Sequence, residues 1–76
     1  MLVRVIPADY LEDLIASLVR HDCLVHRVAG DTCSVFHLYA RDRREAAVEL
    51  RLFVEAWTMR HPQAQVALRP NSWWAS

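Results

Sequence analysis

Asp42-Arg43-Arg44-Glu45-Ala46-Ala47-Val48-Glu49-Leu50-Arg51-Leu52-Phe53-Val54-Glu55-Ala56-Trp57-Thr58-Met59-Arg60-His61 is the longest patterned stretch of this chain, and Pro62 follows it. Ala46, Leu50, Phe53, Val54 and Trp57 recur at helical spacing and form an apolar stripe. Asp42 with Glu45 three residues later is a capping-box-like start. Pro62 ends the helix, because it disfavours helical backbone at His61. Such a helix is about 30 Å long at 1.5 Å per residue, enough to span a small domain. The remaining segments are short enough to pack on it.

Working back toward the N-terminus, Leu2-Val3-Arg4-Val5-Ile6 is β-branched and bounded by Pro7, which predicts a first strand with Val3 and Val5 inward. A helix follows, with Asp9 as its expected cap and Glu12 at the third helical position. Leu11, Leu14, Ile15, Leu18 and Val19 give it a complete amphipathic stripe. Leu24 to Val28 and Cys33 to Tyr39 are predicted strands, joined by the turn Ala29-Gly30-Asp31-Thr32. Gly30, the single glycine, is expected to supply the positive φ of a hairpin turn. Beyond Pro62, Val66 and Leu68 share one face of a fourth strand that ends at Pro70.

The hairpin register decides which residues face out. A two- or four-residue loop sets Leu24, His26, Val28, Cys33, Val35, His37 and Tyr39 on one face, and Cys23, Val25, Arg27, Ser34, Phe36 and Leu38 on the other. A three-residue loop shifts the partner by one and mixes these sets. The expected core is Val5, Leu11, Leu14, Ile15, Leu18, Phe36, Leu50, Phe53, Val54, Trp57, Val66 and Leu68.

Strand, helix, strand, strand, helix, strand is an α+β order. Two right-handed crossovers place both helices on one face of a four-stranded antiparallel sheet. This order resembles the ferredoxin-like βαββαβ sandwich over residues 2 to 69, with residues 1–70 as one domain and residues 71–76 as an aromatic tail. That superfold is shared by ACT-type regulatory domains, RNA-recognition motifs and metallochaperones. The metallochaperone version implies a Cys-x-x-Cys loop after strand one, where this chain has Pro7-Ala8-Asp9. The RNA-recognition version implies aromatics on strands one and three, and strand one has none. The ACT-like version implies an amino-acid ligand near a Gly-containing loop after strand one, and Ile6-Pro7-Ala8-Asp9 contains no Gly. The pairing of such domains carries over better than their ligand.

The composition narrows the function. The chain has 76 residues, is 54% hydrophobic and carries three Trp. A chain of this size buries only about 60% of its unfolded surface, so apolar residues remain once one core is filled. The expected use of that surplus is a partner surface. Formal net charge is zero and every basic residue is Arg, which argues against a nucleic-acid binder. No apolar run matches a membrane span, and no signal-peptide core is present, so a cytoplasmic protein is expected. Cys23 and Cys33 read as reduced core thiols.

No Gly-rich phosphate loop, nucleophile elbow or His-Glu-x-x-His motif occurs, and no enzymatic activity or cofactor is expected. The expected function is a non-enzymatic interaction or regulatory module that self-associates as a homodimer, with a further protein partner open. Its expected partner-binding residues are Leu24, Val28, Val35, Tyr39, Trp73 and Trp74. The alternative is a small-ligand or metal-binding ACT-like domain, with His26, Cys33 and His37 as the candidate metal ligands on the open sheet face.

Overall fold

The computed structural model describes residues 1–69. Strand β1 (Leu2–Ile6) is followed by a short 3₁₀ turn (Ala8–Tyr10) and helix α1 (Leu11–Arg20). Strands β2 (Cys23–Arg27) and β3 (Thr32–His37) form a hairpin, and helix α2 (Arg43–Arg60) leads to β4 (Gln65–Arg69). The sheet order is β2-β3-β1-β4, antiparallel throughout. This is the α+β, ferredoxin-like arrangement that the order of elements dictates.

Both helices cover the same sheet face. Val3, Val5, Cys23, Cys33 and Val35 point from the strands into one cluster with Leu11, Leu14 and Leu18 of α1 and Leu50 and Trp57 of α2. Phe53, Ile15, Val66 and Leu68 pack against that cluster, partly buried. Leu50, Val54 and Trp57 are the buried residues of the α2 stripe.

The two helices start differently. At α2, the Asp42 carboxylate accepts the Glu45 N–H at 2.8 Å, the expected cap. At α1, Asp9 caps nothing. It lies inside the 3₁₀ turn, where the Tyr10 N–H donates to the Pro7 carbonyl at 3.2 Å, and Tyr10 occupies the cap position without a side-chain bond. The first turn of α1 is thus set by main-chain bonding that continues from Pro7.

The hairpin register corrects the sequence reading. Arg27 pairs with Cys33, Val25 with Val35 and Leu24 with Phe36. Residues 28 to 32 intervene between the last paired positions, an odd number, so the faces are mixed relative to an even loop. Within that connection the Val28 and Ala29 N–H groups both donate to the Thr32 carbonyl, at 3.0 and 3.1 Å. Gly30 has no positive φ. The left-handed position is Asp22 instead, at φ 61° in the turn between α1 and β2. Aspartate tolerates that conformation better than most residues.

Candidate interaction surface

Among the described residues, no helix covers the second face of the sheet. That face presents Leu2, Arg4 and Ile6 from β1, Leu24 and His26 from β2, Thr32, Ser34 and Phe36 from β3, and Gln65, Ala67 and Arg69 from β4. Leu24 and Phe36 stand directly opposite each other on neighbouring strands and are 60% and 53% exposed. Leu2 lies beside them, opposite Ser34, and Leu38 extends the patch past the end of β3. The β1–β4 half is charged by contrast. There Arg4 Nε donates to Asp31 Oδ2 at 2.9 Å, and Thr32 Oγ1 donates to Asp31 Oδ1 at 2.8 Å. The Thr32 hydroxyl and then the Arg4 guanidinium hold the Asp31 carboxyl below its ordinary value.

The expected partner-binding residues do not all lie together. Leu24 is on the open face as expected. Val35 is 1% exposed and belongs to the core, because the register turns it toward the helices; Phe36, expected in the core, takes the open position. Val28 is exposed in the loop, four residues along the strand from Leu24, about 13 Å at strand spacing. Tyr39 is exposed in the turn after β3, where its N–H donates to His37 Nδ1 at 3.3 Å. Trp73 and Trp74 lie outside the described residues.

The candidate metal set is taken apart by the same register. His26 lies on the open face, Cys33 is fully buried on the helix side, and His37 shares that side at the other end of β3. Among the described residues no group of three His, Cys, Asp or Glu side chains could hold a metal ion. Cys23 and Cys33 are both free thiols. Four residues of strand, about 13 Å, separate Cys23 from the Arg27 that faces Cys33. Burial pushes both thiols up from their ordinary values, with Asp22 adding to the effect at Cys23.

A polar and aromatic cluster joins the two helices at the other end of the fold. Asp13 Oδ2 accepts the Trp57 indole N–H at 3.0 Å and lies 3.0 Å from His61 Nε2. The His61 ring stacks on Trp57 with centroids 4.1 Å apart, and Tyr10 meets both rings edge-on. His61 Nδ1 lies 2.9 Å from the Trp57 carbonyl. Every partner in this cluster satisfies another member of it, so the arrangement works as a clamp between α1 and the end of α2.

The sequence reading also missed part of α2. Val48, Leu52 and Met59 are 53%, 57% and 83% exposed. The signal was present, since the three recur at helical spacing, but they lie opposite the core stripe on the same helix. Beside them an open groove between α2 and β4 is lined by Arg51, Val54, Glu55, Thr58, Met59, Val66 and Leu68.

Among the described residues no helix is long and apolar enough to cross a membrane. The chain defines a class by its fold, the small α+β sandwich with one open sheet face. It matches no family model, no curated protein and no solved structure.

Proposed function

We propose that this chain is a non-enzymatic interaction module that pairs with a second copy of itself through the β2–β3 half of its open sheet face. One observation carries the reading: Leu24 and Phe36, cross-strand neighbours, are both more than half exposed on a face that no helix of the described residues covers. Such a face of an antiparallel sheet is ordinarily polar. Here an apolar centre is bordered by His26, Arg4 and Arg69, the plan of an interface with a polar rim. A patch that meets its own copy across a two-fold axis satisfies both chains in one step.

Native mass spectrometry tests this against the ACT-like ligand reading. Pairing gives multiples of the chain mass that shift from one to two copies as concentration rises. An added mass on a single chain supports a bound ligand instead, and a single chain with nothing added at every concentration contradicts both. The segment that would approach such a ligand, Pro7-Ala8-Asp9, is exposed, and its Ala8 and Asp9 belong to the 3₁₀ turn.

A further inference from the structure

We infer that the outer side of α2 is a second, independent self-association surface, which packs antiparallel against α2 of another copy. The 18 residues of α2 carry two apolar stripes. Leu50, Val54 and Trp57 face the core and are buried. Val48, Leu52 and Met59 cluster within about 40° of one another on a helical wheel, on the opposite side. A solvated helix face needs no such residues. Valine forms helix less readily than the Glu, Lys or Arg that would also keep the face wet, and three large exposed side chains in line are a docking stripe rather than scatter.

The spacing identifies the occupant. Val48, Leu52, Glu55 and Met59 follow one another at intervals of four, three and four residues, the spacing of a helix-pairing seam. That sequence of intervals reads the same in both directions. An antiparallel two-fold therefore sets Val48 of each copy against Met59 of the other and Leu52 of each against Glu55 of the other, with the axis between Leu52 and Glu55. It also brings Arg51 of each copy beside Glu55 of the other, twice. A parallel pair would instead set Glu55 against Glu55. Among the described residues Arg51 and Glu55 take part in no ion pair, so both charges remain available for that contact. The surface is self-complementary in charge, which an isologous interface requires.

The stripe is small beside the roughly 1,200 Å² that stable interfaces bury. The pairing is accordingly weak and concentration-dependent, and it does not use the open sheet face. Sedimentation equilibrium over a concentration series tests it in a Phe36→Lys background, where the sheet face is disabled. The expected result is a residual monomer–dimer equilibrium. Leu52→Lys or Met59→Lys, both at exposed positions, lowers its association constant by about tenfold or more. Glu55→Arg weakens it as well, and Arg51→Glu added to Glu55→Arg restores it. Circular dichroism melts of each variant check that the fold is kept. A Phe36→Lys chain that stays monomeric throughout overturns the inference, as does an association indifferent to Leu52→Lys and Met59→Lys. Loss on Glu55→Arg that the double reversal fails to restore overturns the antiparallel arrangement. If Phe36→Lys leaves wild-type association unchanged, the sheet-face reading fails by itself, and the Leu52 and Met59 variants are then read in the wild-type chain.

Discussion

The Trp57 indole N–H donates to Asp13 Oδ2 at 3.0 Å, joining the middle of α1's first turns to the last turns of α2 across 44 residues of sequence. Trp57 itself is fully buried. Removing the acceptor leaves a donor with no partner in a place that water reaches poorly. Asp13→Ala is expected to destabilise the fold by about 1–3 kcal/mol. Asp13→Asn keeps a carbonyl oxygen in place and costs less. Urea denaturation of the two variants checks the order; equal losses would mean that the bond contributes nothing.

Gly30→Ala is expected to be neutral or to stabilise the chain by at most about 1 kcal/mol, because alanine narrows the unfolded ensemble. Gly30 has no positive φ, and an added Cβ would meet nothing within 4 Å. The strained position is Asp22, where a β-branched residue such as Asp22→Val is expected to cost about 1–2 kcal/mol. Thermal melts decide both, and a large loss at Gly30 would contradict the observed turn.

The contrast between these two positions shows what could be read from the sequence. Both helices and the order of elements were legible, because Leu11, Leu14 and Leu18, and Leu50, Val54 and Trp57, repeat at the helical period. The hairpin was not. Val35 and Phe36 are adjacent and both apolar, as are Leu24 and Val25, so no alternation tells inside from outside. The five-residue connection settled it, and placed Val35 in the core and Phe36 in the open. The outer stripe of α2 was hidden for a related reason. Two stripes on opposite sides of one helix share one period, so the assignment of one to the core drew attention from the other.

Cys23 and Cys33 are expected to resist thiol-specific reagents in the folded chain. Both are buried, and burial holds both thiols above their ordinary values, so little thiolate forms near neutral pH. Labelling followed by mass spectrometry should show both sites blocked in buffer and both labelled in denaturant. Rapid labelling of Cys33 in buffer would contradict its position in the core.

Asp31 gives an acid-side prediction. Its folded value is lowered from the ordinary 3.8 by the Thr32 hydroxyl and by Arg4. The stabilisation that comes with a lowered carboxyl is fully present above the ordinary value and is lost as pH falls through the folded one. Wild type and Asp31→Asn are therefore expected to differ in melting temperature at neutral pH and to converge below about pH 3.8. A gap that persists or widens in acid would contradict the Arg4–Asp31–Thr32 contacts as its source.

In the proposed pairing, the Leu24–Phe36 pair on the open sheet face holds two copies together. Sedimentation velocity of the wild-type chain beside Phe36→Lys, at matched concentrations, tests it most directly. Phe36 is 53% exposed, so the substitution is expected to leave the melting temperature nearly unchanged. A concentration-dependent dimer is expected for the wild type, with a marked loss of association in Phe36→Lys. A wild type that sediments as one chain at every concentration, or a Phe36→Lys chain that associates as strongly as the wild type, would contradict it.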